Sequence, residues 1–315
     1  MPVLALRAPR NYALRPVRRV TALPNLLTLA NAFCGLLAIA KAIDALVLSG
    51  SAANAPVFYE KLETACLLIF LGMVFDALDG KVARLVGGSS EFGAQLDSFS
   101  DALTFGVAPA LLAKVLIEHE GPALGYSGHP RLHFIAAASF ALMAILRLAR
   151  FNLETTTDES SHRDFKGLPS PAAAGAVVST LLLYLVLRRP QLEVDEAGPT
   201  PLGRLISFFP ELRIESMPWW VLPAIALLLP LYGSLMVSRV RYVHAVSFLT
   251  RKGSFFLLVY LCFAAFLLFV APIPVLFLAF QGFALFGALR ALFPRKSDEP
   301  EVDDEDEIFA HGGRD

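Results

Sequence analysis

Charge is scarce in this chain. Asp, Glu, Lys and Arg make up 17% of its 315 residues, against 56% hydrophobic, and that balance excludes an ordinary soluble domain. Cysteine is nearly absent. Cys34, Cys66 and Cys262 each sit inside an apolar run without metal-ligand spacing, so they read as small buried hydrophobes and not as a disulfide framework. There is no Gly-rich loop of the nucleotide-fold type, no coiled-coil heptad, and no basic–aromatic pattern suited to nucleic acid. The net charge of −1 says little by itself, because the charge is segregated. What is plentiful is phenylalanine, at 25 residues, together with long Leu/Ala/Val runs. These features predict an all-α, polytopic membrane protein.

Three parts follow from that segregation. Residues 1–22 carry Arg7, Arg10, Arg15, Arg18 and Arg19 with no acid, and read as a basic cytoplasmic segment. The apolar run that follows is too long for a cleaved signal peptide. Residues 23–293 form a transmembrane domain. Its expected spans are 24–48, 62–84, 94–116, 132–149, 172–187, 219–237, 255–270 and 274–289, eight in all. Residues 294–315 form an acidic tail that reads as disordered. With the N-terminus inside, Lys81, Arg84, Arg147, Arg150, Arg163, Lys166, Arg239, Arg241, Arg251 and Lys252 all fall on the cytoplasmic side, as do Arg290, Arg295 and Lys296. The expected topology is therefore N-in and C-in.

The informative stretch is VFDALDGKVARLVGGSSEFGAQLDSFSD, residues 74–101. Asp76 and Asp79, three apart, end one apolar run; Asp97 and Asp101, four apart, begin the next. Both spacings put a pair of carboxylates on one helical face. Between them Val86-Gly87-Gly88-Ser89-Ser90 breaks the helix, so the simplest geometry is a helical hairpin with four carboxylates converging at its closed end. Carboxylates that converge repel one another unless a cation neutralises them. Magnesium or manganese suits such oxygen ligands, and two ions about 3.5–4 Å apart clamp a reacting phosphoryl group. Gly80, Ala83, Gly93 and Ala94 leave room beside the acids, while Lys81 and Arg84 supply positive charge for phosphate. Asn25, Thr28 and Asn31 recur every three residues on the first span, a polar stripe that either caps and cross-bonds helices or lines the acidic site. Arg147 and Arg150 share a face and either hold an anionic group or anchor the helix by snorkelling. Read from the residues alone, the acids also suit a divalent-cation transporter. That alternative requires polar residues continuing through the midplane; spans six to eight are nearly free of them, and the outer halves of spans two and three read as apolar.

The spacing Asp76-x2-Asp79-Gly80-x2-Ala83-Arg84-x8-Gly93-x3-Asp97-x3-Asp101 resembles the CDP-alcohol phosphatidyltransferase signature at all eight positions. Three further segments, PNLLTLANAFCG (24–35), LRLARFN (146–152) and FKGLPSP (165–171), are similar to the serine-accepting branch of that family. The resemblance covers residues 23–187 well and the last three spans only by hydrophobic pattern. It implies a six-helix core with two additional helices, and a homodimer in the cell membrane whose active site faces the cytoplasm. It implies transfer of a phosphatidyl group from CDP-diacylglycerol to the hydroxyl of L-serine with release of CMP. Glycerol 3-phosphate, inositol phosphate and choline stand as alternative acceptors. Asp76, Asp79 and Asp97 would hold one metal, and Asp76, Asp97 and Asp101 the second, with Asp101 also the general base. Gly80, Ala83, Arg84 and Gly93, joined by Asn25 and Thr28, would surround the CDP moiety. For the acceptor, Arg147, Arg150, Lys166 and Gly167 are the candidates from the residues themselves. No partner of nucleic-acid type is expected.

Overall fold

The computed structural model describes residues 22–48, 55–86, 91–157, 165–188, 217–238, 240–242 and 254–292. The basic leader, the acidic tail, residues 87–90 of the hairpin turn, Arg163 and the loop 189–216 lie outside them. The elements are α1 (Ala22–Leu48), α2 (Ala55–Leu85), α3 (Glu91–Asp101), a π-helical segment (Ala102–Val107), α4 (Ala108–Ala123), α5 (Pro130–Thr157), β1 (Phe165–Lys166), α6 (Ser170–Arg188), α7 (Val221–Val237), β2 (Arg241–Tyr242), α8 (Ser254–Val270) and α9 (Pro272–Leu292). Helical structure overlaps each of the eight expected stretches, the third divided by the π-helical segment and the sixth beginning only at Val221. Several run past the apolar stretch: α2 starts at Ala55 and α5 continues to Thr157. Hydropathy marks only the part of a helix that lies in hydrocarbon, while backbone hydrogen bonding continues into the polar flanks.

Among the described residues five helices are long and apolar enough to cross a membrane: Ala22–Val47, Glu91–Ala123, Pro130–Leu153, Ser170–Arg188 and Pro272–Leu289. Val221–Val237 is apolar but shorter. α2 carries Glu60, Lys61 and Glu63 towards one end and Asp76, Asp79, Lys81 and Arg84 at the other, which confines its apolar stretch to the middle. Among the described residues the one departure from all-helical structure is the antiparallel pairing of β1 with β2, two residues each. Large apolar side chains, among them Leu26, Phe33, Phe134, Leu142, Phe266, Phe269 and Phe286, are exposed around the bundle, the surface an integral multi-pass membrane protein offers to lipid. Cys34 and Cys66 are free and buried as expected; Cys262 is free but exposed on α8, so burial was the wrong expectation for it.

α1 packs along α2, α5 along α7 and α6 along α9, while the α3–α4 rod threads the middle. That rod is not uniform. Pro109 lacks the N–H that would bond back to Phe105, and its ring crowds that carbonyl; the helix widens to a π turn just before it. The widened turn pushes Thr104 into a notch between α1 and α2. A Cβ on Gly35 would lie 2.9 Å from the Thr104 Cα, and one on Gly72 2.7 Å from Thr104 Cγ2. Glycine at both positions is what lets three helices meet there. In the notch Thr104 Oγ1 donates to the Asn31 carbonyl at 3.0 Å.

Candidate active site

About one helical turn from that notch, α2 and α3 bring their acids together. Asp76, Asp97 and Asp101 each offer one carboxylate oxygen, and the three oxygens lie within 4.8 Å of one another. Asp79, one turn beyond Asp76, is buried and stands beside this trio; its Oδ2 accepts a hydrogen bond from Thr28 Oγ1 at 2.8 Å. Asp101 is buried and its Oδ1 accepts from Asn31 Nδ2 at 3.2 Å. Thr28 and Asn31, three apart on α1, therefore each orient one acid. Ser100 Oγ donates to the Thr28 carbonyl at 3.1 Å and braces α3 against the same turn of α1. Two members of the polar stripe, Thr28 and Asn31, thus cross-bond α1 to the acid-bearing helices. Asn25 is half-buried one turn before Thr28.

Two buried atoms in this cluster have no partner among the described residues, Asp97 Oδ1 and Asn31 Oδ1. A buried oxygen acceptor left unpaired costs about 1–3 kcal/mol, more when it is charged, and three carboxylates this close repel strongly. Hard oxygen donors, mutual proximity and unpaired acceptors together fit a divalent cation such as magnesium or manganese, which would satisfy all three. Asp76, Asp97 and Asp101 are the residues that fit it.

The remaining predicted residues distribute around this centre. Gly80 is exposed, and a Cβ there would meet nothing within 4 Å, so open space lies in front of it. Ala83 and Gly93 are half-buried. Arg84 is exposed and its Nε donates to the Gly80 carbonyl at 3.0 Å. On α5, Arg147 is half-buried: Nη1 donates to Ser170 Oγ at 3.0 Å, Nε is buried without a partner among the described residues, and the guanidinium lies in electrostatic range of Asp101. Arg150 Nη1 donates to the Val237 carbonyl at 3.4 Å. Gly167 has φ +87° and donates its N–H to the Val240 carbonyl at 2.8 Å. Lys166 pairs in register with Arg241.

Some of the local machinery was not singled out from sequence. Ser98, one residue past Asp97, exchanges hydrogen bonds with Asn152 of α5 at 2.9 and 3.2 Å, and so ties the acidic helix to the arginine-bearing one. Ser170 holds Arg147. Asn152 and Ser170 both lie within the segments LRLARFN and FKGLPSP, which was the available signal. At the opposite end of the bundle the outer halves of spans two and three are not purely apolar. Glu63 is buried in span two and Lys114 of span three pairs with Glu118; one turn past span three Glu120 is buried, accepting from Tyr59 Oη at 2.5 Å, Tyr184 Oη at 2.8 Å and Arg188 Nε at 2.9 Å.

Comparison with known proteins agrees with this geometry. The sequence profile described as CDP-alcohol phosphatidyltransferase matches residues 21–197, which contain the acids, both arginines and Ser170. A CDP-diacylglycerol–serine O-phosphatidyltransferase of Helicobacter pylori is 30% identical over 281 residues, covering 88% of this chain and 94% of that protein. The Bacillus subtilis protein of the same description is 33% identical over 162 residues, 51% of this chain and 76% of its own length. An archaetidylserine synthase of Methanothermobacter thermautotrophicus is 37% identical over 163 residues, 51% of this chain and 58% of its own. With the signature acids gathered at one site inside the matched residues, the chain belongs to the CDP-alcohol phosphatidyltransferase family.

Proposed function

We propose that this chain transfers the phosphatidyl group of CDP-diacylglycerol to the hydroxyl of L-serine, giving phosphatidylserine and CMP. The observation that carries the reading is the trio Asp76, Asp97 and Asp101, whose oxygens lie within 4.8 Å beside the Arg147–Ser170 pair. The serine acceptor is supported by the similarity to the serine O-phosphatidyltransferases of Helicobacter and Bacillus. Two magnesium or manganese ions are assigned to the site, one on Asp76, Asp79 and Asp97 and one on Asp76, Asp97 and Asp101. When bound, they neutralise the diphosphate and polarise the bond to be broken.

The protein's own groups supply the rest. Asp101, fixed by Asn31, takes the proton of the acceptor hydroxyl. The freed oxygen attacks the lipid-side phosphorus, the bond to the bridging oxygen of the diphosphate breaks, and CMP departs. Gly80, Ala83, Arg84 and Gly93, with Asn25 and Thr28, surround the nucleotide, using the open space in front of Gly80. Arg147 takes the serine carboxylate, aided by Arg150 and the Lys166-Gly167 turn. Eight spans with both termini inside would set this site at the cytoplasmic surface of the cell membrane, in a homodimer.

The acceptor is tested by giving purified protein CDP-diacylglycerol and manganese or magnesium with serine, glycerol 3-phosphate, inositol phosphate or choline in turn. Phosphatidylserine is the expected product. A different phospholipid as the sole product would keep the chemistry and replace the acceptor. Absence of any phospholipid product from folded, metal-loaded protein would sink the transferase reading and favour cation transport.

A further inference from the structure

Helix α9 lies beyond the residues that match the family profile, yet besides packing along α6 it clamps Tyr242 of β2, next to the acceptor side of the site. Tyr242 of β2 is 3% exposed. Its hydroxyl donates to the Ala284 carbonyl at 3.4 Å, and its ring lies against Phe283 with centroids 5.5 Å apart. A Cβ at Gly287 would run into that ring. β2 in turn pairs with β1, Tyr242 opposite Phe165 and Arg241 opposite Lys166. The next two residues are held close by: Gly167 N–H donates to the Val240 carbonyl, just before β2, at 2.8 Å, and Leu168 N–H to the Leu235 carbonyl in the last turn of α7 at 3.0 Å. Gly167 has φ +87°, and a Cβ there would collide with the Met236 carbonyl, so the close approach requires glycine. Three residues on, Ser170 is 1% exposed and accepts from Arg147 Nη1.

We propose that α9 governs acceptor binding: clamped by Phe283, Ala284 and Gly287, Tyr242 pins β2, with Val240, onto β1 and Gly167, a strap that fixes Ser170 and through it the Arg147 guanidinium. Tyr242 and Gly287 are thus positioning residues. The inference rests on the reading that Arg147 holds the acceptor's anionic group. A guanidinium pairs two oxygens only in a fixed plane, and a displacement of about 1 Å costs up to roughly 10²-fold in such sites. Loosening the strap removes binding shared by ground and transition states, so KM for the acceptor rises while kcat holds.

The test is steady-state CMP release by the full-length protein in detergent, varying serine and CDP-diacylglycerol separately, with thermal stability measured in parallel. Tyr242→Ala and Gly287→Val are expected to raise the acceptor KM about tenfold and to leave the KM for CDP-diacylglycerol within about twofold. Tyr242→Phe keeps the ring and should change it less than about threefold. Arg147→Gln should raise the acceptor KM at least as far, and Tyr242→Ala added to it should raise it no further, since both act through one group. If Tyr242→Ala does not accumulate, Gly287→Ala carries the same comparison. Equal increases in both KM values, a lowered stability with an unchanged acceptor KM, or additivity with Arg147→Gln would each overturn the inference. An Arg147→Gln protein with a normal acceptor KM would instead overturn the acceptor reading beneath it. If a phosphate-bearing alcohol replaces serine as acceptor, the same comparison runs with that alcohol.

Discussion

Asn31 shows how much of this site depends on neutral residues. It donates to Asp101, its backbone carbonyl anchors Thr104, and its Oδ1 is buried without a hydrogen-bond partner among the described residues, close to Gly72. Asn31→Leu keeps the volume but frees Asp101 to rotate. Partners of metal-binding carboxylates commonly contribute 10- to 100-fold, so we expect kcat to fall by about 30-fold, with the acceptor KM little changed. Steady-state kinetics at saturating manganese would detect this, and unchanged kcat would contradict it. Asp97→Asn tests the cation itself. Replacing this ligand should weaken manganese binding by more than about tenfold, measured calorimetrically on the purified protein without substrate. The acids were legible because their spacing, three and four, is a helical spacing in an otherwise apolar chain. Their individual partners were not: Ser98 with Asn152 and Ser170 with Arg147 join residues far apart in sequence, and periodicity carries no information about which distant helix a face will meet.

At the scale of elements, the π turn and the notch it fills explain why glycine stands at 35. Gly35→Leu would force α1 away from Thr104, an overpacking of about 1–3 kcal/mol, and because α1 carries Thr28 and Asn31 activity should fall with stability. A thermal-unfolding curve and a rate on the same sample check both. The Glu120 cluster makes the opposite prediction. It links α2, α4 and α6 through Tyr59, Tyr184 and Arg188, far from the acids. Glu120→Ala should lower stability by about 3 kcal/mol, because two buried hydroxyls and a guanidinium lose their acceptor, while both KM values stay put. A changed KM would contradict a purely structural role. Pro109 stands in the third apolar run, but the π turn before it was not legible there. A proline inside an apolar run can kink, end or widen a helix, and the choice depended on α1 and α2 offering Gly35 and Gly72.

For the whole molecule, the order of helices followed from hydropathy because a bilayer imposes one length and one polarity on every span. Their ends did not, since α2 and α5 extend past the apolar stretch on hydrogen bonds that hydropathy does not register. The strap of β1 and β2 was also invisible, two residues on each side being too short for a period-two pattern. Orientation has its own test: in a cysteine-free background, a cysteine at Ser127 should react with an impermeant maleimide on intact cells, and one at Lys81 only after permeabilisation. The reverse pattern would invert the assigned topology. The most direct measurement is serine-dependent CMP release from CDP-diacylglycerol, comparing the natural protein, the same protein with chelator, and Asp101→Asn. Release by the first alone, with the variant reduced by at least about 10³-fold while still folded, is the predicted result. Undiminished release by Asp101→Asn, or release that persists after the metal is removed, would contradict a metal-bearing acidic centre with Asp101 as its base.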